Sequence, residues 1–214
     1  MNQMDLNYSY IASSLTTMEL LERIENRQKY MPETIEASLA ELQYRKHEFS
    51  DEELKIIDED IKALRANAAL VGNTKGFFNK EYKNVIVEDP DAPLLYSRVA
   101  LNTFTIFFGA LFGSIMMSIN LAKFGKTKEA SWAILFGIGF TAVQYIVLSH
   151  LPGRGSSMQV VFGFISAFLL DLLFWKPYIG YATFYRKRQI WIPLIIGITL
   201  ASLIIASIIL APQP

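Results

Sequence analysis

The sequence predicts an all-α protein: a polytopic membrane helix bundle of four apolar segments, preceded by a small soluble helical module. Hydrophobic residues make up 52% of the 214 positions, a high share for a soluble domain. Residues 1–96 carry 11 Lys and Arg against 18 Asp and Glu, whereas residues 97–214 carry nine against two. We therefore predict an acidic soluble helical module over residues 1–70, a linker over 71–96 and a membrane bundle over 97–214.

The soluble module is predicted to contain three short helices with recognisable starts. Thr16 and Glu19 form a capping box pattern, as do Ser50 and Glu53, and Pro32 suits a first helical position. Apolar residues then recur at helical spacing: Leu20, Leu21 and Ile24; Ile35, Leu39 and Leu42; Leu54, Ile57, Ile61 and Leu64. The last stripe could pack on the earlier helices, form a coiled-coil seam or dock on a partner, and we expect intramolecular packing.

The segment "GNTKGFFNKEYKNVIVEDPDAP" mixes Gly, Asn and Pro with a single β-prone run at residues 85–87. Such a composition indicates turns and irregular structure rather than a helix. We interpret residues 71–96 as the linker that reaches the membrane.

Four apolar segments follow, at about residues 99–121, 131–151, 158–175 and 190–211. Each is close to the roughly 20 residues that a helix needs to cross a bilayer. Their glycines would weaken soluble helices but allow membrane helices to approach closely. We therefore expect membrane helices rather than the core helices of a soluble protein.

The orientation of the segments is less simple than their number. If all four cross, the loops after the first and third share seven Lys and Arg, while the opposite face has only Arg154. The positive-inside rule would then put the acidic module outside, although the sequence shows no signal peptide pattern. A first segment that enters and returns would leave three crossings and place module and loops together inside. On helix length we prefer four crossings, and we expect a cytoplasmic module.

Asp171 is the most informative polar residue, because it interrupts the third apolar segment. A carboxylate at that place needs a partner, a water path or a proton. We favour a structural role, paired with a neighbouring helix or a loop cation, over ion coupling or a lipid contact. Gln144 and Asn120 are the candidate polar companions, and with Asp171 they form the candidate intramembrane site.

Gly109 and Gly113 match the GxxxG pattern that lets membrane helices pack closely. They are candidate helix-packing residues. The pattern fits packing within one chain as well as it fits a homo-oligomer.

Several function classes are excluded by what the sequence lacks. There is no cysteine, His47 and His150 are the only histidines, and no phosphate loop or catalytic constellation is recognisable. We therefore expect no enzyme, no cofactor, no metal site and no nucleic-acid partner. The expected partners are the lipid bilayer and a protein bound by the module.

Three stretches of the second half, "LYSRVALNTFTIFFGALFGSIMMSINLAKFGKTKEA", "LFGIGFTAVQY" and "FWKPYIGYATFYRKRQIWIPLIIGI", resemble an uncharacterised family of small multi-pass membrane proteins, chiefly from Bacteroidetes. The resemblance spans about residues 94–211. The stretch "TTMELLERIENRQKYMPETIEASLAELQYRK" resembles a short helical module that precedes membrane segments in similar bacteria. These resemblances imply a bacterial inner membrane and a cytoplasmic module, and they carry no activity.

Two functions follow from these observations. The first is a non-enzymatic membrane anchor or adaptor whose module binds a partner. The second is a small oligomeric transporter or channel-like protein that uses Asp171, Gln144 and Asn120. We favour the adaptor, because the apolar half has few acids and no pair of broken helices is evident in it.

Overall fold

The computed structural model describes residues 3–72, 78–150 and 155–210, and the chain divides into two compact units. The first unit comprises Met1–Pro93 with Tyr181–Lys187, and the second comprises Leu94–Gly180 with Arg188–Pro214. Parts of three predictions lie outside the described residues: the linker at 73–77, the loop of Arg154 with the end of the second segment at 151–154, and the end of the fourth segment at 211.

The described part of the first unit contains four α-helices. These are α1 Gln3–Ser14, α2 Thr17–Glu25, α3 Pro32–Tyr44 and α4 Asp51–Gly72. Both capping boxes are confirmed: Thr16 and Ser50 each accept a backbone N–H bond on their hydroxyl, and Glu19 and Glu53 accept the reciprocal bonds. The backbone N–H of Thr16 is the main reason why the pKa of Glu19 lies below its ordinary value. The helix starts therefore follow from local sequence alone.

The core of the first unit forms where the predicted apolar faces meet. Its buried residues are Ala12, Leu20, Ile24, Ile35, Leu42, Ile57 and Ile61. The stripe on α4 therefore packs within its own unit, as we expected. The helix α1 was not predicted, since its sequence offers little apolar periodicity apart from Ala12 and its neighbours.

Residues 80–93 pack into the first unit, where the sequence suggested a linker. A 3₁₀ turn at Lys80–Val85 leads into strand β1, Ile86–Val87, and buries Tyr82 and Val85. The fully buried carboxylate of Asp89 accepts the backbone N–H of Met31 at 3.0 Å, so it caps α3, which lacks a side-chain cap of its own. A tertiary contact of this kind leaves no local signal in the sequence.

The strand β1 pairs in parallel with β3, Tyr185–Lys187, in a register that sets Ile86 opposite Tyr185. The partner strand comes from the cationic loop after the third apolar segment. The first unit is therefore built from two distant stretches of chain, which the sequence did not indicate.

The regular secondary structure of the described part of the second unit is helical apart from the two-residue strand β2, Leu94–Leu95. Its helices are α5 Arg98–Phe108, α6 Ala110–Lys123, α7 Thr127–Ser149, α8 Gly155–Leu170, α9 Lys176–Tyr178 and α10 Trp191–Leu210. A π-helical turn, Asp171–Trp175, joins α8 to α9. Two described helical stretches, Thr127–Ser149 and Met158–Tyr178, are long and apolar enough to cross a membrane, and the described apolar part of α10, Trp191–Leu203, is shorter.

The expectation of one continuous helix over 99–121 is wrong. The chain breaks at Gly109, whose φ of +91° is a conformation that L side chains rarely adopt. By their residue counts α5 and α6 are about 16 Å and about 21 Å long, which is less than the about 30 Å of hydrocarbon in a bilayer. The segment therefore forms two short helices rather than one long one.

The helices α5 and α6 fold back on each other as a hairpin with its turn at Gly109. Close to the turn, the rings of Phe104 and Phe112 stack with centroids 5.6 Å apart. At the open end, the amide of Asn120 binds both the N–H and the C=O of Tyr96 at 2.9 Å. The two ends of the hairpin are therefore held side by side.

Gly113 packs at the hairpin interface, whereas Gly109 lies at the turn. A Cβ at Gly113 would lie 1.9 Å from the Oγ1 of the buried Thr105, and a Cβ at Gly109 would meet nothing within 4 Å. The GxxxG pattern is thus divided between a turn and a contact, and it does not form one face of a single helix.

We expect Gly113→Ala to destabilise the second unit by about 1–3 kcal/mol, because Thr105 must move to admit the methyl group. The matched control is Gly139→Ala on α7, where an added Cβ meets nothing within 4 Å. There alanine should be neutral or stabilising by up to about 1 kcal/mol. Unfolding by SDS in mixed micelles measures both, and equal effects of the two variants would refute the close contact.

Candidate functional site

Asp171 opens the π-helical turn that follows α8, and only 6% of its surface is exposed. The turn is wide because the N–H of Lys176 binds the carbonyl of Asp171, five residues earlier. Pro177 follows at once, and a proline ring has no N–H and crowds the carbonyl four residues before it. A wider turn ahead of the proline relieves that crowding and fixes where Asp171 lies.

The partner of Asp171 is Arg98, in the first turn of α5. Arg98 Nε and one terminal nitrogen donate to the two carboxylate oxygens at 2.5 Å and 2.6 Å. Both residues are less than a tenth exposed. A bidentate pair of this kind is strong and fixes the relative orientation of both side chains.

The pair joins the start of α5 to the end of the third apolar segment. Ser97 caps α5 by accepting the N–H of Ala100, so the guanidinium leaves the helix from its first position. Farther along, a Cβ at Gly163 of α8 would lie 2.8 Å from the carbonyl oxygen of Ile106 of α5. Close backbone contact and an ion pair therefore hold the two segments together.

Sequence reasoning did not identify Arg98. It precedes the first apolar segment by one residue and therefore falls in the polar stretch before that segment. A signal did exist, because Arg98 is the only cation between Lys83 and Lys123 and Asp171 is the only acid after Glu129. A single acid within one apolar segment needs an opposite charge when it is buried, and a single cation at the start of another apolar segment can supply it.

The structure does not bring the three candidate site residues together. Asn120 is fully buried, but its amide is used at the open end of the hairpin. Gln144 lies half-buried on α7 and makes no hydrogen bond with the described residues. Asp171 binds Arg98 instead, so the predicted cluster of Asp171, Gln144 and Asn120 is not formed.

Two buried polar side chains of the second unit, Asn102 and Ser114, make no hydrogen bond with the described residues. Asn102 is fully buried on α5, one turn after Arg98, and neither its oxygen nor its nitrogen has a hydrogen-bond partner among the described residues. The hydroxyl of Ser114 on α6 is buried in the same way. Buried polar atoms without protein partners are uncommon, and they often mark an ordered water or a functional position.

Comparison with protein-family models, with curated proteins and with solved structures finds no match. Among the described residues, no three His, Cys, Asp or Glu side chains lie close enough to hold a metal ion. Any function must therefore be argued from the geometry of the two units.

We expect the Arg98–Asp171 pair to show strong coupling in a double-mutant cycle. Asp171→Leu and Arg98→Met should each cost about 3–5 kcal/mol, because each leaves a buried charge without its partner. The double variant should recover most of that loss, and Asp171→Asn should be intermediate, since it keeps an acceptor but loses the charge. Unfolding by SDS in mixed micelles measures all four variants.

The control is Lys176→Met, which removes an exposed cation five residues after Asp171 and should change stability by less than about 1 kcal/mol. Additive losses in the double variant would show that the two side chains do not depend on each other.

Proposed function

We propose that this chain is an integral membrane protein whose soluble module acts as a non-enzymatic adaptor at the membrane surface. The exposed apolar surface of the second unit supports the membrane placement. Only 11% of the most apolar window of α7 is buried, whereas the core helix of a soluble protein would be mostly buried. Large side chains such as Ile138, Tyr145 and Ile195 are more than half exposed, and lipid tails are the solvent that suits them.

The two stretches of chain that form the first unit support a topology of three crossings. Its residues come from the chain before α5 and from the loop after α9, and a compact soluble unit lies on one side of a bilayer. An even number of crossings must therefore separate residue 93 from residue 181. The helices α7 and α8 supply two, and the short α5–α6 hairpin enters and returns. With α10 the total is three, which replaces our preference for four.

This topology also removes the conflict over charge. The acidic module and the loops that hold seven of the Lys and Arg residues then share one face. The positive-inside rule makes that face cytoplasmic. Trp132 and Trp191, 64% and 67% exposed, suit the interface on that side, whereas Trp175 is 2% exposed and lies in the interior. The resemblance to small bacterial membrane proteins adds the inner membrane to this proposal.

The observation that carries the adaptor proposal is the strand β3. The soluble unit takes Tyr185–Lys187 from between two membrane segments, so the chain passes between the units at three places. The module is therefore joined to the membrane segments at three points of the chain rather than by one terminal tether. Recruitment of a cytosolic partner to the membrane is the task that such an acidic module would serve.

A transporter is the second candidate, and the buried amide of Asn102 favours it. Polar atoms without protein partners within a membrane domain, next to a broken helical segment, resemble features of substrate paths. The buried ion pair of Arg98 and Asp171 argues against a mobile proton at Asp171, because two charge-assisted hydrogen bonds hold the carboxylate.

We expect cysteine accessibility to place the module and the loop on the same side. The chain has no cysteine, so single replacements at the exposed positions Glu52 and Lys187, or a cysteine added after Pro214, report without background. A membrane-impermeant maleimide on intact bacterial cells should label only the added C-terminal cysteine. Labelling of Glu52→Cys but not of Lys187→Cys would refute the three-crossing topology.

We expect the protein in liposomes to show no ion flux driven by a pH gradient. The two candidate functions differ here, because an adaptor needs no path through its second unit. Asn102→Leu is the matched variant, since leucine has a similar size and leaves no unsatisfied polar atom. Flux in the parent protein that Asn102→Leu abolishes, with the variant still folded, would replace the adaptor by the transporter.

A further inference from the structure

The first unit has a groove between α2 and the start of α4 with a volume of about 350 Å³. Its apolar lining includes Leu21, Phe49 and Ile56, and Ile56 is 47% exposed. The exposed Glu25, Glu48 and Glu53 also line it and form what we call its rim, and Arg27 and His47 line it as well. The groove is near the lower end of the about 300–1,000 Å³ that ligand pockets span, enough for one or two large side chains.

The charge of the rim is not neutralised within the unit. Glu25 and Glu48 are exposed and make no ion pair or hydrogen bond with the described residues. Hydrogen bonds from Ser50, the backbone N–H first, hold the pKa of Glu53 below its ordinary value, so this residue is ionised at neutral pH. The nearby guanidinium of Arg27 is occupied by Asp60. The groove therefore combines an apolar lining with three carboxylates, of which those of Glu25 and Glu48 have no partner among the described residues.

From this combination we infer that the groove binds a basic peptide segment of another protein, with one or two bulky apolar side chains flanked by Lys or Arg. An apolar anchor would cover Ile56 and Phe49, and the flanking cations would meet Glu25 and Glu48. The first 96 residues carry seven more acids than bases, so the wider surface also attracts a cationic partner. The inference rests on the proposed adaptor function and names the chemistry of its partner.

The structure favours a peptide over a small ligand because the groove is open and its three glutamate side chains are exposed. Short apolar anchors with charged flanks are a recurring way in which a helix or an extended segment docks on a surface. The anchor supplies most of the affinity, while the charged flanks set specificity and the rate of association.

A random 12-residue peptide library displayed on phage tests the inference, selected against the full-length protein in nanodiscs of neutral lipid, with empty nanodiscs for counter-selection. We expect enriched sequences to place Leu, Ile, Met or Phe between Lys or Arg residues. Synthetic versions of these peptides should bind the parent protein in fluorescence anisotropy. Ile56→Ser, or Glu25→Gln with Glu48→Gln, should each weaken that binding by about fivefold or more.

The control variants change the same chemistry outside the groove. Glu22→Gln with Glu59→Gln removes two exposed acids, and Leu70→Ser removes an apolar side chain that is 54% exposed on α4. These controls should alter affinity by less than about twofold. Equal losses in the controls, enrichment of acidic peptides, or no enrichment above empty nanodiscs would each overturn the groove as the site.

Two further outcomes separate the groove from the adaptor function and from self-association. Peptides that bind the module but ignore every groove variant overturn the groove and keep the adaptor, whereas flux through the second unit overturns the adaptor alone. Self-association that Glu25→Gln with Glu48→Gln abolishes would identify the occupant as a second copy of this chain and overturn a foreign partner.

Discussion

The reversal of the chain at Gly109 is the constraint on which the rest of the structure depends. A residue with a side chain would resist a φ of +91°, and a straight helix through this segment would separate its two ends by the length of both helices. Because the chain reverses here, the amide of Asn120 can bind the backbone of Tyr96. In the proposed topology, the same reversal returns the chain to the side of the membrane on which it entered.

The Arg98–Asp171 pair has a different task from the one that an acid in an apolar segment first suggests. A buried ion pair contributes little stability compared with apolar packing, but it forms in only one register of the two helices that carry it. Here it ties the first position of α5 to the wide turn before Pro177. We therefore regard the pair as the element that selects one arrangement of the hairpin against α8 among several apolar alternatives.

The sequence predicted what local chemistry decides. The capping boxes at Thr16 and Ser50, the helix start at Pro32 and the apolar faces of α2, α3 and α4 all depend on neighbours within one or two turns. The break at Gly109 could not be predicted, because glycine is common inside membrane helices and only tertiary contacts decide whether it bends. The strand β3, the cap from Asp89 and the role of Arg98 depend on residues 58 or more positions away. The predicted cluster of Asp171, Gln144 and Asn120 is not formed for the same reason, because the partner of Asp171 is distant in the sequence.

The origin of β3 sets an order of events during synthesis. The first unit lacks a strand until residue 181 and its successors have left the ribosome, although its other residues end at 93. At about 5–20 residues per second, the interval is about 4–18 s. In the proposed topology, α7 and α8 enter the membrane during that interval. The first unit would then be completed only after both membrane segments have been synthesised, so its maturation would follow theirs.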